Sequence, residues 1–502
     1  VLGGLLIVVG AAAAHGEVFY IGPAGSNSNN GTSAGSPWGT FGFAFTQLTP
    51  GDTLLVLDGT YNINSRVRWQ SGGGTVDNRI HVWAAPGAAP VLDFAGMSNT
   101  LWGQSSGRGI EISDAVDWLH FKGLTIQNAR DNGISSRSDH SIFEQLVTRW
   151  NGDSGLQLDG ASSYNLVLNS DSYLNYDPSS NGENADGFAI KFAELGPGNV
   201  VRGSRAWGNS DDGWDMWEST IGGVLVEDSW SFDNGKLVQR FFDADALELG
   251  DLTTGNFAGD GTGFKLGQNG GPHVLNGVLA WANRVGIDVN GNANGVTVNN
   301  STAYNNARNW QFDENLSTHV LRNNISLAGP STTSGDTIFA AVDDAFNSWN
   351  AGVGTATAAD FATLVDTLAR GPRQADGSLP VMDFLHLVEM SDLIDAGIDV
   401  GLPFFGAAPD LGAFESGGDA LDGDTNGDGR VDAADYVVWR KTDGTQAGYN
   451  LWRANFGATA GGGSAARRTP AAPEPTSIML LVLACVPFVS AGGSVSRRRR
   501  RG

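Results

Sequence analysis

The sequence predicts an all-β chain wound into a right-handed parallel β-helix, with a small helical calcium-loop module near the C-terminus. Three observations lead there. Glycine supplies 71 of 502 residues without a Gly-X-Y period or a heptad pattern, which excludes collagen, coiled coil and helical bundle. Short hydrophobic strands recur through residues 100 to 310 as RGIEIS, NGISSR, SGLQLD, DGFAIK, DGWDMW, TGFKLG and VGIDVN, with their glycines at 109, 133, 155, 187, 213, 263 and 286. A second series runs beside it: LTIQN, LVLNS, NVVRGSRAW, VLVEDSW, VLNGVLAW, VTVNNSTAY and VLRNNIS. A unit of 22 to 26 residues cannot bury its own apolar side, so successive units must stack. Period-2 strands with Asn and Gly at the corners then wind into coils whose inward side chains form one core and whose corner Asn can ladder. A leucine-rich repeat would instead show a regular Leu consensus and a helix per unit. The wider gap before Gly187 reads as an insertion, and the gap of 50 before Gly263 as two coils or one long loop.

The balance of 54 acidic against 30 basic residues argues against a nucleic-acid partner. The single cysteine, Cys485, excludes an intrachain disulfide, so stability must come from packing, hydrogen-bond ladders and metal.

Along the chain, residues 1–15 hold an apolar run closing on small residues, the pattern of a signal peptide whose start is truncated. The β-helix is expected over 16–415. Its entry, residues 19–61, carries a short capping helix before the Pro50-Gly51-Asp52 turn, and its exit, residues 391–415, is expected to close the coil. Capping is a physical requirement, because an open β-helix end is an edge that pairs with other chains. Both segments resemble the opening and closing segments of secreted carbohydrate-active β-helices.

Residues 422–457 form the calcium-loop module. Asp424, Asn426, Asp428, Asp432 and Asp435 occupy loop positions 1, 3, 5, 9 and 12, Gly429 supplies the turn at position 6, and the Arg430 carbonyl fills position 7. The motif resembles a dockerin repeat, including the helix through Tyr436–Trp439. The second half of the segment has no matching ligand set, so a cohesin-like partner and a calcium-stabilised spacer are both open. A linker, 458–472, leads to Pro473-Glu474-Pro475, the apolar run Ile478–Val489 and Arg497–Arg501. That order resembles the PEP-CTERM sorting tail, here 473–502, which implies recognition by sorting machinery at the membrane and a secreted or cell-surface protein.

The chemistry concentrates on two consecutive units, Asn184-Ala185-Asp186-Gly187 and Asn209-Ser210-Asp211-Asp212-Gly213-Trp214-Asp215. On a β-helix, Asp186, Asp211, Asp212 and Asp215 would stack within a few ångströms and repel strongly unless a cation sat among them. A hard divalent ion with oxygen ligands, calcium by preference, answers that requirement. Lys265 in Gly263-Phe264-Lys265 falls on the same face and strand position, expected two coils further on, as an ion-pair partner or a base.

The block from NADGFAIKFAELGPGNVVRGSRAWGNSDDGWDMWE to TGFKLG, residues 184–267, resembles the family 9 polysaccharide lyases, pectate lyase-like β-helix enzymes. The resemblance implies that Asp186, Asp211, Asp212 and Asp215 hold a catalytic calcium and that Lys265 is the base. It further implies β-elimination on an acidic, uronate-containing polysaccharide, pectate (polygalacturonate) first, with an alkaline optimum and loss of activity to chelators. A rhamnogalacturonan backbone and either endo or exo cleavage remain open. Two other readings compete: a noncatalytic polysaccharide-binding or adhesive surface β-helix, and a glycoside hydrolase that uses Asp211 and Asp212 as acid and base.

Overall fold

The computed structural model describes residues 16–219, 221–236, 257–313, 319–339, 341–416, 423–426, 431–442 and 444–457. The signal-like run, the linker, the sorting-type tail, and Asp428 and Arg430 of the calcium loop lie outside them. The chain divides into two compact units, one reaching Leu402 and resuming over Ala407–Ser416, the other including the calcium-loop segment.

The first unit is a parallel β-helix. Three sheets run its length: sheet A with twelve strands from Val18–Ile21 to Asp343–Ala345, sheet B with ten from Thr60–Asn62 to Ile325–Leu327, and sheet C with ten from Val67–Trp69 to Thr337–Ile338. All named strand pairs are parallel and in register, so each residue lies above its counterpart one coil away, about 4.8 Å distant. In sheet C the inward column includes Ile134, Leu156, Phe188, Trp214, Phe264 and Ile287, all buried, with Trp214 stacked on Phe264 at 4.6 Å. The outward column includes Gln157, Ala189, Asp215, Lys265 and Asp288.

The glycine of each unit has a steric cause. A Cβ at Gly109, Gly133, Gly187, Gly213 or Gly263 would fall 2.5–2.7 Å from the carbonyl oxygen of a neighbouring coil's glycine. At another corner a buried asparagine ladder runs Asn151–Asn175–Asn209–Asn234–Asn283–Asn306, each side-chain amide donating to the next at 2.9–3.1 Å. These bonds satisfy polar groups that the close coils cut off from water.

The long gap before Gly263 is one coil, not two: Trp214 pairs with Phe264 and Asp215 with Lys265 on directly adjacent strands. Lys265 is therefore one coil from Asp215, and residues 237–256 of the stretch between them lie outside the described residues.

Helix α1 (Phe41–Gln47) covers the N-terminal end, burying Phe41, Ala44 and Phe45, with Phe45 stacked on Trp69 at 4.2 Å. The exit segment does not close the far end. Its Leu393 and Leu411 pack with Trp230, Leu279 and Ile325 on the outer face of sheet B, where the outward column is apolar and needs cover. Val342 and Trp349 pack at the last coils instead. Arg205 and Arg373, both on Asp171 at 2.9 and 2.7 Å, pin the flanking segment to sheet B.

In the second unit, α2 (Ala433–Thr442) and α3 (Gln446–Asn455) pack through Tyr436, Trp439, Tyr449 and Trp452. Asp435 is buried and accepts from the backbone N–H groups of Thr425, Asn426 and Asp432 at 2.9, 3.1 and 2.7 Å, which folds the loop back onto the start of α2.

Candidate active site

Sheet C and the corner that precedes it assemble the site. Asp186 precedes strand Phe188–Ile190, Asp211 and Asp212 precede Trp214–Asp215, and Lys265 ends strand Thr262–Lys265. Because the corners stack, Asp186, Asp211 and Asp212 bring carboxylate oxygens within 4.8 Å of one another, all three buried.

Backbone donors fix their orientation. Asp211 Oδ2 accepts from Asn184 N at 2.9 Å and Oδ1 from Asp260 N at 2.6 Å. Asp212 Oδ1 accepts from Thr262 N at 2.6 Å, and Asp186 Oδ1 accepts from Asp212 N at 3.2 Å. Asp186 Oδ2 accepts from Ser154 Oγ and Lys191 Nζ, each at 3.0 Å. Asp212 Oδ2 differs: it is buried without a hydrogen bond, although Lys265 Nζ stands 3.0 Å away as an ion-pair partner. Lys265 also meets Asp260 at 3.1 Å.

Asp215 lies outside the group of three. Its Oδ2 accepts from Lys191 Nζ at 2.7 Å and its Oδ1 from Trp217 N at 3.0 Å. Lys191 thus bridges Asp186 and Asp215 from within the wall of the site. It was not singled out in the sequence, although it ends the same DGFAIK unit that begins with Asp186. Asp260 also escaped notice, because it follows the long gap that breaks the sequence repeat.

Burial sets the charges. Burial, and Asp186 beside it, push Asp211 up to about 7, while burial and Asp211 push Asp212 well above the usual carboxylate range. Burial also raises Asp186 against the opposing pull of Lys191. For Asp215, burial is outweighed by Lys191 and Lys265, which hold it below its ordinary value. Burial alone would lower Lys265, but Asp212, Asp215, Asp211 and Asp260 outweigh it and hold the ammonium form.

Three clustered, buried carboxylates whose burial disfavours their charged forms, with one oxygen that accepts no hydrogen bond, form a donor set suited to a hard divalent cation. The set contains oxygen only, which disfavours zinc and other metals that prefer nitrogen or sulfur.

Beside this group, on the N-terminal side of sheet C, lies an open depression of about 360 Å³ whose lining includes Arg108, Arg137, Gln157 and Phe192. Gln157, Ala189, Asp215 and Lys265 occupy successive places in one outward column, so depression and carboxylates share one face.

Comparison with known proteins bears on the fold and the family. The family model described as "Pel9A-like, right handed beta helix region" matches residues 19–324. The chain is 38% identical over 414 residues to pectate lyase L of Dickeya chrysanthemi, covering 80% of this chain and 90% of that protein. Among solved structures, pectate lyase Pel9A superimposes with a TM-score of 0.70 at 37% identity, covering 80% of this chain and 96% of that one. A rhamnogalacturonan lyase superimposes with a TM-score of 0.63 at 25% identity, covering 74% and 97%. With a family match over more than half its length and a relative of this identity and coverage, the chain belongs to the Pel9A-like family of right-handed β-helix proteins.

Proposed function

We propose that the protein is an exported polysaccharide lyase that cleaves pectate (polygalacturonate) by calcium-assisted β-elimination. One observation carries the reading: Lys265 Nζ lies 3.0 Å from Asp212 Oδ2, the unbonded oxygen of the buried carboxylate group. A base and a cation-binding set stand in contact on one polymer-sized face. A surface protein that only bound polysaccharide would have no need of that contact.

The C5 proton of a uronic acid is weakly acidic, and its removal builds charge on the adjacent carboxylate. Asp186, Asp211 and Asp212, with Asp215 beside them, would hold calcium, which when bound supplies positive charge that offsets these anions and steadies the charge building on the sugar. Lys265 Nζ, held as the ammonium by Asp212, Asp215, Asp211 and Asp260, would become the neutral amine able to take the C5 proton once calcium offset those carboxylates. The C4–O4 bond breaks, O4 leaves with a proton from solvent, and the new end is 4,5-unsaturated. Lys191 stays charged between Asp186 and Asp215, since those carboxylates and Asp153 outweigh its burial. It compensates the wall without being available as a base.

The rhamnogalacturonan lyase likeness supports a second substrate, a uronate linked to a neutral sugar. Release of unsaturated uronide, read by ultraviolet absorbance, tests both. A calcium-dependent rise on polygalacturonate, absent with chelator, is expected; a rise on rhamnogalacturonan alone would move the substrate, and reducing ends without absorbance would make the enzyme a hydrolase. Export rests on the signal-like run 1–15 and the tail 473–502.

A further inference from the structure

We infer that the depression formed by Phe192, Arg137 and Arg108 is a second sugar subsite, which holds an acidic unit of the same polymer on the N-terminal side of the cleavage point. The inference rests on the lyase reading above and deepens it by naming residues that choose chain length and charge.

Phe192 is the first observation. It directly follows Lys191 and takes a backbone φ of 84°, a left-handed conformation that glycine adopts freely and a phenylalanine adopts only under strain. Its N–H donates to Trp217 O at 2.9 Å, which locks the turn, and its ring meets Trp217 edge to face at 6.0 Å. The side chain is nonetheless 37% exposed and lines the depression. A strained turn that holds an aromatic ring half in water does little for the core. An apolar ring face set among polar groups is what the apolar face of a sugar needs.

The arginines are the second observation. Arg137 uses Nε on Asp159 at 2.5 Å, and its two terminal amino groups have no partner among the described residues, with the side chain 53% exposed. Arg108 reaches the depression from the other side, held by Glu111 and Asp131 at 3.1 and 3.3 Å. The Arg137 guanidinium, fixed at Nε and open at its terminal amino groups, suits a sugar carboxylate, while Arg108, engaged through both Nε and Nη1, adds positive charge to the wall. The lining also contains four carboxylates: Asp159 and Asp131 are paired with these arginines, burial, with Asp131 nearby, pushes Asp153 up to about 8, and Glu194 is exposed to solvent.

Position is the third. Gln157 lies three strands before Lys265 in the outward column, roughly 14 Å along the axis at the usual strand spacing. A polymer lying along sheet C would therefore reach the depression a few sugars from the scissile bond.

The test uses the full chain with Arg137→Ala and Phe192→Gly, assayed on polygalacturonate and on defined oligouronides from dimer to hexamer. Arg137→Ala should raise KM on long substrates about tenfold, with the effect shrinking as the chain shortens. Phe192→Gly should raise KM on long substrates about fivefold while its melting temperature is unchanged or higher, because glycine relieves the strained turn. Losses equal at all lengths, or none, would overturn the subsite, as would a lowered melting temperature for Phe192→Gly with unchanged KM. Wild-type protein inactive on every uronide would instead overturn the lyase reading itself.

Discussion

Lys191 shows how a single buried charge decides the behaviour of the site. It sits between Asp186 and Asp215 at 3.0 and 2.7 Å, in a wall that excludes water. Removing one partner of such an arrangement strands the others, at a cost of about 3–5 kcal/mol. Lys191→Ala is therefore expected to be strongly destabilised in chelator and to gain more from calcium than the wild type, which paired thermal melts would show; equal gains would separate Lys191 from the cation site. A second residue sets a pH limit. His273 is buried, its Nδ1 accepts from Val224 N at 3.0 Å, and burial pushes it from 6.5 down to about 3. The unfolded chain takes up that proton more readily, so the stability contributed is complete above about pH 6.5 and is lost as pH falls toward 3. His273→Asn keeps an acceptor but cannot titrate, and its urea stability should fall less between pH 7 and pH 5 than the wild type's, by about 2 kcal/mol. Asp186, Asp211, Asp212 and Lys265 were legible in the sequence because each sits at a fixed offset from a repeat glycine. Lys191 was equally regular, but its meaning needed the corner to bring it between two carboxylates.

At the scale of the element, the corner asparagines couple fold to site. Asn209 accepts from Asn175 N and Nδ2 and donates to Asn234 Oδ1, and two residues later the chain reaches Asp211. Asn209→Ala removes four buried side-chain hydrogen bonds and takes away the acceptor of Asn175 N. It is expected to cost about 2–4 kcal/mol in urea melts and to weaken calcium binding as well, whereas a mutation at the far end of the ladder, such as Asn306→Ala, should cost stability alone. The coils themselves were readable from glycine spacing, since a Cβ there would strike the next coil. The single coil before Gly263 was not, because the extra sequence between Gly213 and Gly263 breaks the spacing that counts coils. The exit segment was misjudged for another reason: its apolar residues signal that it covers something, but Leu393 and Leu411 carry no sign of which surface.

For the whole molecule, the flank of sheet B matters as much as the ends. Asp171, with Arg205 and Arg373, ties residues far apart in sequence across that flank. Burial alone would raise Asp171, but the two arginines outweigh it and hold it low. Asp171→Asn is expected to free the segment carrying Arg373 first, so limited proteolysis should cut there before the coil unfolds; uniform resistance would place the tie elsewhere. In the proposed reaction the carboxylates hold a cation and Lys265 moves a proton. The most direct measurement compares calcium binding and unsaturated-uronide release for the wild type and Lys265→Ala on polygalacturonate. Comparable calcium affinity and a loss of turnover of about 10²–10⁴-fold or more are expected in the variant. Near-wild-type turnover with calcium still bound would contradict that role of Lys265 and place the base elsewhere.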